Sequence, residues 1–422
     1  MSNKQFLKRL FQAYYEERQD SIPAVDLMEH REFGFIPWEK PIMIRHMSFS
    51  NAQTFRDYLV KNSPMHVYSS GSLYMLPNIP DMSKKQYQGC DLIIDIDVDH
   101  FPTPCKVDHD KWYCKECEKT GKGMPPHKCP KCGGIKFDGL SWICSECLDA
   151  AKTEIKKLLY DFLIPDFGIQ KDELHLAFSG HRGYHLKVQN EKIRSLTSEE
   201  RREIVDYVSG HNLSYEALGL RERGNTIFGL LKDNIGWSHK IVTKIEYLLI
   251  TYDNDQLRDV FTEFDLSTTV IDSLLKSKNY FLNVLSKNHN VWTMEGFGLA
   301  NWKKFLDGIV HLISAEIDEP VTIDIHRLIR YPGSLHGKSG FKVQELTLDE
   351  LDAFTPLNVN EPERDPIVFQ SQNIQKIKIS AIEVPPTTLK DETYGPYKKG
   401  EVVELPNHVA VFLLCKGVAQ TV

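Results

Sequence analysis

Hydrophobic and polar positions recur on two periods along this chain, and each change of period marks an element. In the opening segment MSNKQFLKRLFQAYYEERQ, residues Phe6, Leu7, Leu10, Phe11 and Tyr14 return at helical spacing, which predicts an amphipathic helix. Residues 1–90 then mix helix and strand signals, including a short apolar run, Pro41–His46, that ends in Arg45 and His46. Residues 91–99, DLIIDIDVD, alternate strictly: Leu92, Ile94, Ile96 and Val98 share one face, and Asp91, Asp95, Asp97 and Asp99 the other. That is a strand with one buried face. Residues 149–163 return to helical spacing and are closed by Pro165 and Gly168. Residues 174–188 read strand, turn, strand: LHLAF, SGHRG, YHLKV. Beyond them, 190–317 is largely helical, 318–345 returns to short strands and turns, and 355–400 is a Pro- and charge-rich surface stretch. HVAVFLLCKGVA is expected to pack as a terminal helix.

A length of 422 residues corresponds to two or three domains at about 150 residues each. With 41% hydrophobic and 26% charged residues, the chain is neither disordered nor fibrous. The net charge of −7 excludes a globally basic nucleic-acid coat and leaves room for a locally basic site. No apolar run reaches the roughly 18 residues a membrane span needs, and the N-terminus lacks a signal-peptide core and cleavage site. The expectation is a cytoplasmic protein with reduced cysteines, in which clustered cysteines point to metal before disulfide.

Three segments carry candidate chemistry. Asp95 and Asp97, two residues apart on one strand face, lie roughly 7 Å apart at Cα. A divalent cation such as Mg²⁺ or Mn²⁺ relieves their repulsion and engages substrate phosphates. An exposed acidic face of an edge strand is the plainer reading, although Asp is a poor strand residue. The turn Ser179–His185 offers two glycines for close backbone approach, and Ser179, Arg182 and His185 as anion contacts; a hairpin with a surface arginine is the alternative. Residues 318–340 concentrate Arg327, Arg330, His336 and Lys338 around glycine turns, which suits a triphosphate as well as it suits a solvated loop.

Taken together, Asp95-Ile-Asp97, the SGxRGYH turn at 179–185 and RLIRYPGSLHGKSG at 327–340 resemble, in order, the motifs of the catalytic small subunit of the archaeal–eukaryotic DNA primase, archaeal branch. The resemblance runs from the first helix to the PNHVAVFLLCKG segment. It implies an α+β fold: a mixed α/β catalytic core with an inserted zinc-binding element and a helical subdomain. The core would occupy 1–104, 148–190 and 318–422, the zinc element 105–147 and the helical subdomain 191–317. The implied activity is that of a DNA-directed RNA polymerase, a nucleotidyltransferase that makes short primers on single-stranded DNA from nucleoside triphosphates. The implied partner is a large regulatory subunit, in a heterodimer at the replication fork. Asp95, Asp97 and Asp318 would hold Mg²⁺ or Mn²⁺, with Asp324 competing for the third place. Arg45, Ser179, Arg182, His185, Arg330 and His336 would contact the nucleotide; His181, where relatives often carry Gly or Arg, receives no role. A repair-type primase-polymerase and a non-catalytic zinc-ribbon protein are the competing readings.

Eight of the nine cysteines lie between Cys90 and Cys147, six of them in Cys-x2-Cys pairs with eleven residues between successive pairs. Two such pairs close one structural zinc, but equal spacing leaves the pairing open. The resemblance implies one zinc on Cys105, His109, Cys144 and Cys147. Residues 111–138 would then be an inserted ribbon binding a second zinc through Cys114, Cys117, Cys129 and Cys132. The ribbon's lysines are placed either to touch nucleic-acid phosphate or to solvate a loop.

Overall fold

The computed structural model describes residues 2–381 and 383–422. Helix α1 (Asn3–Arg18) starts where the side chains of Ser2 and Gln5 cap each other's backbone N–H groups. Its buried stripe is Leu7, Phe11, Tyr14 and Tyr15. Strands β1 (Arg31–Ile36), β2 (Ile44–Met47), β3 (His66–Tyr74) and β4 (Tyr87–Cys90) follow, with helix α2 (Ala52–Asn62) between β2 and β3. The acidic strand is β5 (Leu92–Asp97). The one-turn helix α3 (Lys106–His109) leads into a small ribbon, β6 (Lys111–Cys114), β7 (Thr120–Lys122) and β8 (Phe137–Leu140). Helix α4 (Ser145–Lys157) continues as a wider turn through Leu158–Leu163. Strands β9 (Leu174–Phe178) and β10 (Gly183–Val188) flank the glycine turn. A hairpin, β11 (Arg221–Arg223) and β12 (Thr226–Phe228), precedes the main helices, and β13 (Leu328–Arg330) and β14 (Gln344–Leu346) come after them.

The chain divides into two compact units. The first comprises 1–156, 169–202 and 317–422. Two of its antiparallel sheets frame the site, one in the order β13-β3-β1-β2 with β4 also paired to β3, the other in the order β14-β9-β10-β5. The second comprises 157–168 and 203–316 and is mainly helical. Its core gathers Trp292 and Trp302, with ring centres 5.0 Å apart, around Phe281 and Phe305. The helical unit thus runs from 203 to 316 and takes in 157–168.

Two other expectations change. The strict alternation of 91–99 places Asp91 on the open face, yet its side chain is fully buried. Its carboxylate lies between Arg31 Nη2 at 2.8 Å and Arg194 Nε at 2.6 Å, which offset the cost of burial. The terminal segment forms the helix Asn407–Cys415 and then a short strand, Ala419–Thr421, paired with Ile374–Ile379.

α1 braces the loop that follows β13. The Tyr14 hydroxyl donates to the Gly333 carbonyl at 2.8 Å, and the Tyr15 hydroxyl accepts from Leu335 N–H at 3.2 Å. The first helix therefore fixes a segment more than 300 residues away.

Arg31→Met should destabilise the chain by about 3–5 kcal/mol, because it strips one partner from a buried carboxylate. Lys8→Ala, which breaks the exposed pair with Glu39, should cost less than about 1 kcal/mol. Urea unfolding of both variants measures the contrast, and equal effects would contradict it.

Candidate active site and metal centres

β10 lies antiparallel to β5, with Gly183 opposite Asp97 and His185 opposite Asp95. A Cβ on Gly183 would stand 1.9 Å from the Ile96 carbonyl oxygen, so only glycine lets the turn press on the acidic strand. Gly180 has φ +77°, and a Cβ there would meet His336 Cβ at 2.9 Å. The two glycines thus have separate purposes: one brings the turn to β5, the other to the His336 loop.

Asp95, Asp97 and Asp318 come together. Asp318 N–H donates to the Asp95 carbonyl at 3.0 Å, which docks the start of the helix Glu319–Ile323 beside β5. Asp324 is exposed and accepts from His326 N–H at 2.8 Å in a local turn. Burial, then the Asp97 and Asp318 carboxylates, push the Asp95 carboxyl up to about 8. Asp97 is raised too, by burial and then by Asp99. His185 Nε2 lies 3.5 Å from Asp95 Oδ1, and burial, then Arg330, pull that imidazole down to about 3. Carboxylates that resist ionisation beside a neutral histidine form a site that a cation completes.

The turn residues Ser179 and Arg182 have partners within the protein. Ser179 Oγ accepts from His181 N–H at 3.2 Å and Gly183 N–H at 3.3 Å, shaping the turn itself. Arg182 is fully buried and committed elsewhere. Its Nη1 lies 2.8 Å from Asp110 Oδ2 and 3.1 Å from Asp99 Oδ1, and its Nη2 lies 3.6 Å from Cys147 Sγ. Asp110 Oδ1 accepts from His109 Nδ1 at 2.7 Å and from Trp142 N–H at 2.8 Å. Arg45, on β2, donates to Glu32 at 2.7 Å and to the His326 carbonyl at 3.0 Å. Both arginines thus have carboxylate partners, Asp99 and Asp110 for Arg182 and Glu32 for Arg45.

Cys105, His109, Cys144 and Cys147 gather as one quartet, and Cys114, Cys117, Cys129 and Cys132 as another; within each quartet the ligand atoms lie within 4.8 Å of one another. Sulfur separations of 3.3 Å for Cys105–Cys147 and 3.6 Å for Cys114–Cys132 and Cys117–Cys129 approach the roughly 3.8 Å edge of a thiolate tetrahedron. His109 offers Nε2 to Cys144 at 3.3 Å while Asp110 holds Nδ1, the outer support a metal-binding imidazole needs. Each quartet can hold a metal ion. The ribbon β7-β6-β8 carries the second, with Trp112 packed on Phe137.

A row of cationic and imidazole groups faces the carboxylates. Arg330 Nη1 lies 2.7 Å from His66 Nδ1, and the guanidinium stacks over Tyr68. The His66 ring meets His336 edge-on at 5.0 Å, and His336 lies flat against His181 at 4.9 Å. Burial, then neighbouring cations, hold all three imidazoles well below their usual range, so they stand neutral. A cavity of about 380 Å³ adjoins the row, lined by His185, Arg330, Ile329, Lys187 and Glu345 among others. Asp97, Asp99 and His181 form a further candidate ligand group, but Lys416 Nζ sits 2.8 Å from His181 Nε2 and occupies that nitrogen. Sequence reasoning missed Asp110, His66 and Lys416. The His109–Asp110 dipeptide was a usable signal for the first; His66 lies outside every motif, and Lys416 lies in the terminal PNHVAVFLLCKG segment with no chemistry attached to it.

Carboxylates set against an arginine and neutral imidazoles make up the candidate site. The model of the DNA primase small subunit family matches residues 138–348. The chain is 32% identical to the DNA primase small subunit PriS of Methanococcoides burtonii, across all of this chain and 99% of that protein. It is 33% identical to that of Methanothrix thermoacetophila over 98% of each chain, and 31% identical to that of Cenarchaeum symbiosum over 98% of this chain and 97% of that protein. The chain belongs to the DNA primase small subunit family. No helix among the described residues is long and apolar enough to cross a membrane.

The raised Asp95 carboxyl has a consequence for stability. Its pKa is about 8 in the folded chain, against about 4 unfolded. The folded state therefore binds the extra proton between those values, so this group's contribution to stability is present below about pH 4 and is lost as pH rises toward about 8. Asp95→Asn should flatten that part of the profile. Urea midpoints across the window, without added divalent cations, test it; an unchanged profile would contradict the assignment.

Proposed function

We propose that the chain is the catalytic subunit of a primase, a DNA-directed RNA polymerase that joins nucleoside triphosphates on a single-stranded DNA template. The convergence of Asp95, Asp97 and Asp318, in a chain of this family, carries the reading. These carboxylates would hold Mg²⁺ or Mn²⁺, which would supply acidification of an attacking 3′-hydroxyl and charge stabilisation of the leaving pyrophosphate. Arg330 and His336 would meet the triphosphate, and the cavity beside His185 gives the nucleotide room. His185, neutral and next to Asp95, keeps a second positive charge away from the metal ligands. Ser179 would contribute by shaping the turn. Arg182 would act through Asp99 and Asp110, and Arg45 through Glu32, rather than on phosphate.

Both quartets are proposed as zinc sites, on the chemistry of three or four thiolates with at most one imidazole. A large regulatory subunit is the proposed partner, and the cytoplasmic replication fork the proposed place of action.

Asp95→Asn, Asp97→Asn and Asp318→Asn should each lower primer-independent synthesis more than about a hundredfold. Asp324→Asn should stay near wild type. Purified chain, single-stranded template, labelled nucleotides and Mg²⁺ or Mn²⁺ test this, with a primed template in parallel. Extension of the primed template alone would favour a repair-type polymerase, and equal losses at Asp318 and Asp324 would remove the third carboxylate.

Metal analysis should give two zinc ions per chain, one for each quartet. Cys114→Ser with Cys117→Ser should lose one ion and keep synthesis. Cys144→Ser with Cys147→Ser should lose the other and, through Arg182, impair synthesis as well. One zinc in the wild-type chain would contradict the two-site assignment.

A further inference from the structure

His181 lies between two groups that come from distant parts of the chain. Lys416 follows the helix Asn407–Cys415, and its ammonium donates to His181 Nε2 and to the Ser141 carbonyl, each at 2.8 Å. The lysine stem is set by an aromatic cluster. Phe412 stacks on Phe341 with ring centres 5.5 Å apart and meets Trp142 edge-on at 5.4 Å, and the ammonium lies 6.0 Å from the Trp142 ring centre.

A donor on His181 Nε2 makes that nitrogen the acceptor, so the ring proton resides on Nδ1. The ring lies within 14° of parallel to His336. His336 Nδ1 in turn accepts from Lys338 N–H at 3.2 Å, which leaves its own proton on Nε2. An imidazole Nε2–H is a donor suited to a phosphate oxygen.

We propose that Lys416 is a positioning residue of the phosphate site: it fixes the tautomer and ring plane of His181, and His181 backs His336 so that its Nε2–H is presented to the nucleotide's phosphates. This rests on the reading of His336 as a nucleotide contact and extends it to an element outside the three motifs. The setting fits such a role better than simple packing. Burial, then Arg182, pull the ammonium down to about 7, with Lys338 adding to the strain and Asp99 and Asp110 opposing it. A position held against neighbouring cations gains its counter-charge when a polyanion arrives.

The test compares Lys416→Met, Lys416→Arg, His181→Ala and His336→Ala in the full-length chain, assayed for nucleotide KM and kcat on single-stranded template. Lys416→Met should raise nucleotide KM about tenfold with kcat within about twofold, and Lys416→Arg, which keeps a donor, should recover most of the loss. The Lys416→Met and His181→Ala effects should not add, since both act through one ring. In ¹⁵N-histidine spectra, Lys416→Met should release His181 from the Nδ1–H form. Should Lys416→Met fail to fold, Lys416→Gln, which is shorter in reach, takes its place in the same comparison. Unchanged KM in the Lys416 variant, additive losses with His181→Ala, or a fall in kcat alone would overturn the proposal if His336→Ala still raises KM. An unaffected KM in His336→Ala would instead overturn the underlying reading of His336, and the proposal with it.

Discussion

One guanidinium, shut away from solvent, holds the catalytic unit in register. Arg182 contacts Asp99 just after the acidic strand, Asp110 behind His109, and the Cys147 sulfur of the first quartet. Removing such a cation would leave a buried carboxylate with a hole where its partner was, and that costs far more than a surface pair contributes. The contact also explains why the cysteine element is more than an appendage. Its quartet orients His109 through Asp110, Asp110 orients Arg182, and Arg182 fixes Asp99, whose N–H donates to Asp97 at 2.9 Å. A cysteine–histidine quartet and an acidic pair from separate segments become a single electrostatic structure.

The two halves of the site are opposite in kind and alike in condition. Burial and mutual repulsion push Asp95 toward the protonated state. Burial and neighbouring cations push His66, His181, His185 and His336 toward the neutral state. Each half therefore carries less charge than its residue types promise. A divalent cation on one side and a polyphosphate on the other would relieve both at once, since each supplies the counter-charge its half lacks.

Much of this was legible in the residues. The opening helix, the acidic strand and the strand–turn–strand of 174–188 announced themselves through periodicity and turn chemistry. Of the two candidates for the third carboxylate, Asp318 is docked against β5 and Asp324 accepts a hydrogen bond in a local turn. The two cysteine quartets gather as the family resemblance implied, whereas equal spacing alone left the pairing open. Asp91 was placed on an open face and is buried between two arginines, and Arg182 has carboxylate partners, Asp99 and Asp110, that no motif announced. Alternation predicts which side a residue occupies, but it carries no information about what another segment brings to that side.

What the sequence determined by itself was therefore local and chemical: the periods that make helices and strands, the glycines at 180 and 183, and the ligand types at positions 95, 97 and 105–147. What only the tertiary structure decided was the partnering of charges. Lys416 reaches His181 across 235 residues, and Tyr14 reaches Gly333 across 319. Periodicity is set by neighbours along the backbone, so consecutive residues record it. The fate of a charge depends on burial and on whatever opposite group the fold delivers within a few ångströms, and no run of adjacent residues records that.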